Sequence, residues 1–324
     1  MPPADGVTTT YPLPAGRIVE AGGPAYVADY GGPDDGPLLV AVHGLGGSHL
    51  NWMAVAPLLT RTSRLLAPDL VGHGRTPAAG RVPDVESHRR LLGGVLSAVA
   101  DGPVVLVGNS MGGLVAVLQA AADPDSVAGL VLVDPALPMP GRPGMVHPRV
   151  VANFAVCAVP GLGEWFVDMR RRRTPARRSV ERSLRICCAV PDRVPPDVVE
   201  ALVDLTGALD RRRTDLAYLR SARSLTSVVV RPAAAIRTLR AVEQPVLLVH
   251  GERDWLVPVS VARRLAAERP DWQLAVARGV GHVPMLEAPA WTAGVIDRWL
   301  SGAGRAACAA SRPVVTPSGA DMGT

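Results

Sequence analysis

Residues 103–122 read "PVVLVGNSMGGLVAVLQAAA", and the fold turns on how this stretch is read. The first part, 103–108, is a continuous apolar run closed by glycine, the pattern of a strand buried on both faces. "MGGLVAVLQAAA" that follows is apolar at helical spacing. Between them sits "GNSMG" (108–112), a serine between glycines. It is either a plain strand-to-helix turn or a serine held out on a strained bend as a nucleophile. The spacing fits Gly-x-Ser-x-Gly, in which the serine needs unusual dihedrals and its neighbours must lack bulk so that strand and helix can approach. A short pattern in a chain with 33 glycines among 324 residues needs context. A buried strand before it and a helix after it are the context the motif requires.

The same alternation extends outward. "GRIVE" and "AYVADYG" form a predicted hairpin turned at "EAGGP". "PLLVAVHG" (37–44) is a second buried strand, "NWMAVAPLLT" a predicted helix and "RLLAPDL" a strand. Residues 83–101 have helical periodicity with a proline near the first turn, and "VAGLVLVDPA" (127–136) is a further strand. The rhythm then breaks: 137–240 contains helix-like segments and arginine clusters but no clear strand. It resumes with "AVEQPVLLVHGERDWLVP" (241–258), the strand in "WQLAVARGVGHVP" and a closing helix in "APAWTAGVIDRWL". Alternating strands and helices predict an α/β fold with a mostly parallel sheet covered on both faces. The expected layout is an arm at 1–16, a core from 17–136 and 241–301, a helical cap insertion at 137–240, and a disordered tail at 302–324.

Composition fits one domain with a large insertion, with 48% hydrophobic and 19% charged residues. The net charge is +5 and every basic side chain other than histidine is arginine, a preference that reads as codon bias. No nucleic-acid motif accompanies it, so no nucleic-acid partner is expected. Cys157, Cys187, Cys188 and Cys308 lack metal-ligand spacing and are read as thiols in a reducing compartment. The N-terminus lacks the basic start and apolar core of a secretory signal, and the apolar stretches are too short to span a bilayer. A cytoplasmic protein is expected.

A serine nucleophile needs a base. Of His43, His49, His73, His88, His147, His250 and His282, only His282 falls in a loop after the last strand. His88 lies in a helical pattern, His73 in the loop "GHG", and His43 beside a glycine turn that it is expected to orient. The base needs a carboxylate to hold its tautomer. Asp134 and Asp254 both follow strands at the end of the sheet where catalytic groups gather. Asp254 is favoured because it lies just before the strand that feeds His282, and because Ser110, Asp254, His282 is the chain order of this triad type. Asp134 would then shape the entry to the insertion. The developing oxyanion needs donors. The turn "HGLGGSHLNW" (43–52) offers the backbone N–H of Leu45, and the N–H of Met111 begins the helix after the serine, where the dipole favours negative charge.

Taken together, "HGLGG", "APDLVGHGRT", "LVGNSMGG", "LLVHGERDWLVP" and "GHVPMLEAP" make the chain resemble the α/β-hydrolase superfamily from about residue 17 to 301. The resemblance implies Ser110 as nucleophile, His282 as base, Asp254 as acid, and Leu45 and Met111 as the oxyanion hole. Haloalkane dehalogenases and epoxide hydrolases of this fold carry aspartate at the nucleophile position, which Ser110 excludes. The elbow "GNSMGG" is also similar to that of hydrolases that split carbon–carbon bonds in ring-cleavage products.

Phe154, Trp165 and Phe166 could line an apolar pocket under the cap or simply hold its helices together. Trp52 and Trp255 could line the pocket or pack beneath it. The arginines of 169–185 are read as a solvated face in preference to a contact with an anionic membrane, a CoA-like phosphate or an acidic partner. No metal or nucleotide site is read and no cofactor is expected. The expected function is a carboxylesterase acting on a small apolar ester through an acyl-enzyme. A carbon–carbon bond hydrolase and a low-turnover ligand-binding protein of the same fold are the alternatives.

Overall fold

The computed structural model describes residues 11–138, 146–302 and 304–305. Its centre is an eight-stranded sheet. In chain order the strands are β1 (Ala15–Glu20), β2 (Pro24–Asp29), β3 (Leu38–Val42), β4 (Arg64–Pro68), β5 (Val104–Asn109), β6 (Val127–Val133), β7 (Val246–Gly251) and β8 (Gln273–Ala277). Their spatial order is β1-β2-β4-β3-β5-β6-β7-β8. The first two form the expected antiparallel hairpin, and β2 pairs antiparallel with β4. From β4 to β8 every pairing is parallel.

The apolar runs are continuous because both faces of the sheet are covered. Along β5, Val104 and Leu106 enter one core cluster and Val105 and Val107 the other, as the period of two along a strand requires. The first cluster is closed by α2 (Val85–Val99) and α3 (Met111–Ala122), and the second by α1 (Ala56–Leu59) and the C-terminal α12 (Pro289–Ser301). The long helix α2 starts where Asp84 accepts the Ser87 N–H at 2.7 Å, an ordinary N-cap.

Two expectations need correction. "NWMAVAPLLT" is not one helix but a 3-10 turn, His49–Trp52, followed by the four-residue α1. Pro57 has no N–H to offer the carbonyl four residues back, so a helix cannot run through it. Strand β1 begins at Ala15, inside the stretch expected as an arm. Cys308 and residues 306–324 of the expected tail lie outside the described residues.

Between β6 and β7 the described residues form only helices: α4 (Pro148–Ala158), α5 (Leu162–Arg173), α6 (Ala176–Cys187), α7 (Pro196–Ala208), α8 (Arg211–Val230) and α9 (Ala233–Arg240), with a 3-10 turn at Pro191–Arg193. The last part of the core adds α10 (Val259–Glu268) and α11 (Pro284–Glu287). The helical segment is tied to the core through α8. The buried His88 ring donates through Nε2 to Ser221 Oγ at 2.9 Å, and Ser221 Oγ donates to the Pro83 carbonyl at 3.0 Å. Arg223 joins α4, α5 and α8 by donating to the Cys157 carbonyl and to both Glu164 oxygens. In the arginine-rich stretch, Arg171 and Arg172 pair with Asp168, and Arg177 pairs with Glu200. Exposed pairs of this kind contribute only about 0–1 kcal/mol each. No single helix among the described residues is long and apolar enough to cross a membrane. The pair α4 and α5 reaches that composition only jointly, across a bend of 114°.

Candidate active site

Ser110 follows β5 directly and has φ 54° and ψ −117°, a conformation that L-residues hold only under surrounding constraint. The constraint is visible. Its N–H donates to the Val133 carbonyl at 3.0 Å, and its carbonyl accepts from Gly113 and Ala136. The helix α3 can start here only because residue 112 is glycine. A Cβ at Gly112 would overlap the carbonyl oxygens of Val42 and His43, the latter at 2.6 Å. Across the bend, a Cβ at Gly44 would come within 3.1 Å of Ser110 Cβ, so the "HGLGG" turn lies directly against the serine. Ser110 keeps 9% of its surface open.

His43 orients that turn. Its Nε2 accepts the Leu70 N–H at 3.0 Å, which leaves the proton on Nδ1 to donate to the Gly44 carbonyl at 2.8 Å. Fully buried, it is held below its ordinary value by desolvation. His73 is pushed down to about 4, first by burial and then by His43, and His88 well below its ordinary value by burial and its two histidine neighbours. These rings are structural neutral imidazoles, His43 and His73 tilted with centroids 5.6 Å apart and His73 and His88 edge-to-face at 5.4 Å.

His282 is different. Its Nδ1 lies 2.7 Å from Asp254 Oδ2, and Asp254 Oδ1 accepts the N–H groups of Leu256 and Val257 at 2.8 and 3.0 Å. Burial pushes the Asp254 carboxyl upward, but His282, His250 and the Val257 N–H outweigh it and leave it below its ordinary value. Asp254 is therefore an ionised carboxylate that fixes the imidazole with its Nδ1 as donor. The Asn109 side chain donates to the carbonyls of Val133 and His282, each at 3.1 Å. The residue before Ser110 thus fastens the His282 loop to the strand end that carries the serine. The structure brings Ser110, Asp254, His282, Leu45 and Met111 to one end of the parallel strands.

The aromatic expectations separate. Trp52 is fully buried beneath the turn, within the second core cluster. Trp165 is 61% exposed and Trp255 56%, the latter stacked on His147 with ring centroids 4.8 Å apart. Phe166 packs with Tyr218 against Cys157, Val167 and Leu219, which is the helix-holding role. Phe154 is half-buried on α4.

Residues not singled out from the sequence also shape the site. Tyr218 on α8 lies over the turn, its ring 3.1 Å from where a Gly46 Cβ would stand, and its hydroxyl accepts from Asn153 Nδ2 at 3.2 Å. Glu287, buried, accepts the N–H groups of Gly281, Ala189 and Val190 at 2.8, 3.0 and 2.9 Å. It clamps the His282 loop to the helical segment, where the His282 N–H also donates to the Cys187 carbonyl at 2.6 Å. A lone acidic residue inside the apolar "VPMLEAPAW" was the available signal for it. Away from the cluster of Asp134, Asp254 and His282, no three His, Cys, Asp or Glu side chains among the described residues converge closely enough to share an ion.

Fold and site define a class. Residues 39–295 match the model of the alpha/beta hydrolase family, and the chain belongs to that family. It is 31% identical to a pimeloyl-[acyl-carrier protein] methyl ester esterase of Aromatoleum aromaticum over 82% of this chain and 99% of that one. It is 27% identical to a 2-hydroxymuconate semialdehyde hydrolase of a Pseudomonas species, over 83% of this chain and 88% of that one. Among solved structures, a thermophilic esterase from Thermogutta terrifontis superposes with a TM-score of 0.66 at 25% identity, covering 89% of this chain and 98% of that one.

Proposed function

We propose that this protein is a serine carboxylesterase, with Ser110 as nucleophile, His282 as base and Asp254 as acid. The observation that carries the reading is the buried 2.7 Å contact between His282 Nδ1 and Asp254 Oδ2, at the same strand ends as a serine in strained backbone. His282 Nε2 takes the Ser110 proton as Oγ attacks the ester carbonyl carbon. The charge that builds on the carbonyl oxygen is met by the N–H groups of Leu45 and Met111. Collapse breaks the bond to the alkoxide, which leaves with the proton held by His282. A water deprotonated by His282 then attacks the acyl-enzyme and frees Ser110. The helices between β6 and β7 serve as a cap, with Tyr218 and Asn153 facing the oxyanion turn. The substrate of this reading is a small-molecule ester with an apolar acyl group; the methyl ester esterase relative that the chain covers at 99% of its length supports the ester bond as the target.

Burst kinetics with p-nitrophenyl esters from acetate to long acyl chains test this. A burst in the wild type that Ser110→Ala and His282→Ala both abolish is expected. The 2-hydroxymuconate semialdehyde hydrolase relative favours a second reading, carbon–carbon bond hydrolysis by the same serine. Turnover of a vinylogous diketone acid with no ester turnover would replace the first reading by the second. A folded protein inert to both substrate sets would point to ligand binding.

A further inference from the structure

Asp134 stands behind the Asp254–His282 pair. It follows β6 as Ser110 follows β5, and it shares the serine's unusual backbone, with φ 46°. The side chain is fully buried. Its Oδ1 accepts the Gly251 N–H at 2.8 Å, whereas Oδ2 is buried with no donor aimed at it. Asp134, Asp254 and His282 each place an oxygen or nitrogen within 4.8 Å of the others. The other titratable groups facing this spot are His250, Glu287 and Cys187. His250 Nε2 is 3.5 Å from Asp134 Oδ1 and 3.6 Å from Asp254 Oδ2, but its proton goes to the Val257 carbonyl at 2.9 Å. Burial holds the His250 ring below its ordinary value and pushes the Cys187 thiol up to about 12. Neither group brings a charge to balance a second carboxylate at neutral pH.

We propose that Asp134 is a neutral carboxylic acid that donates its proton to the Asp254 carboxylate, and so acts as a positioning residue for the acid of the triad. One proton resolves two problems at once. It gives the orphaned Oδ2 an O–H to share, and it removes the repulsion between two adjacent buried carboxylates. Burial and the charge of Asp254 both push the Asp134 carboxyl well above its ordinary value, against the single pull of the Gly251 N–H. The buried pair then carries one negative charge, held on Asp254, which Asp134 steadies from behind while Leu256 and Val257 hold its other oxygen. This inference rests on Asp254 and His282 being the acid and base of the proposed esterase.

Infrared spectroscopy of the wild-type protein at pH 7 tests it without any substrate. A carboxylic-acid C=O band is expected, and its loss in Asp134→Asn assigns it; a wild-type spectrum without that band overturns the proposal and needs no variant. Kinetics give the second arm. Asp134→Ala should lower kcat about tenfold or more, and Asp134→Asn, which keeps an acceptor for Gly251 and a neutral donor for Asp254, should restore it with the acid limb of kcat/KM unmoved. An acid limb displaced downward by about one pH unit in Asp134→Asn would mean that an ionised carboxylate had been removed, which overturns the proposal. So would a loss in Asp134→Asn as large as in Asp254→Asn. A wild type without ester turnover refutes the esterase reading and leaves the infrared result standing.

Discussion

Removing the Glu287 carboxylate should loosen the protein where the His282 loop meets the helical segment. The side chain is wholly buried and accepts three backbone N–H groups, from Gly281, Ala189 and Val190. Glu287→Ala leaves all three without this partner, the Gly281 N–H in a buried place and those of Ala189 and Val190 in partly buried ones. A buried donor left unsatisfied costs roughly 1–3 kcal/mol and a partly buried one less, so the three together cost about 3 kcal/mol. That is a large share of the roughly 5–15 kcal/mol that keeps an ordinary domain folded. Glu287→Gln separates charge from hydrogen-bond count. Its amide oxygen can replace Oε2 for Gly281 and Ala189, while its NH2 faces the Val190 N–H, so one donor is orphaned and the loss is about 1–3 kcal/mol. Arg193 is half-exposed and 3.8 Å from Oε1, so Arg193→Ala should change stability by less than about 1 kcal/mol. Urea unfolding followed by circular dichroism measures all three, and the expected order of midpoints is wild type, Gln, Ala. Ester turnover should fall in the same order because Gly281 precedes His282. An Ala variant within about 1 kcal/mol of wild type would refute the clamp. A Gln variant as unstable as Ala would show that charge, not the three N–H groups, sets its value.

Three further outcomes follow from the same geometry. Stability should fall as pH drops from 6.5 toward 4: His73 goes from an ordinary value of 6.5 to about 4 on folding, so the unfolded chain binds the extra proton in that window, worth about 3 kcal/mol. The slope of urea midpoint against pH measures it, and His73→Asn, which keeps a donor for the Val71 carbonyl, should make it shallower, the remainder coming from His43, His88 and His250, which burial also lowers. Gly112→Ala should destabilise by about 3 kcal/mol or more, because its Cβ meets fixed carbonyls and not a side chain that can turn away; an unchanged melting temperature would contradict the packing described. Asp254→Asn should lower kcat by about 10³–10⁴-fold with little change in KM, and a loss under tenfold in steady-state ester hydrolysis would assign the acid elsewhere.

Much of the fold was legible because its causes are local. Runs such as 104–107, short and bounded by Pro103 and Gly108, read as strands with both sides covered, and 83–101 carries its cap and its apolar stripe within a few turns. The strained serine was legible for the same reason, since the glycines that permit it, Gly108 and Gly112, stand two residues to either side. "NWMAVAPLLT" misled because its apolar content outweighed one proline, whose missing N–H decides against a continuous helix. The tryptophans were left open by the sequence because an indole suits a pocket, a core or a surface equally well, and Trp52, Trp165 and Trp255 differ only in what the fold sets beside them.

By itself, the sequence determined the alternation of strand and helix, the hairpin, the glycine-flanked bend at Ser110 and the place of His282 in the loop after the last strand. Those follow from spacing, glycine placement and chain order. Only the tertiary structure decided which groups are charged and which are joined. Asp134 and the Gly251 N–H it meets are 117 positions apart, and Asn109 reaches the His282 carbonyl across 173. The same holds for Glu287, whose partners at Ala189 and Val190 come from the helical segment. Burial and the charge of a neighbour set a carboxyl's protonation, and both are properties of the packed chain, absent from any window of its sequence.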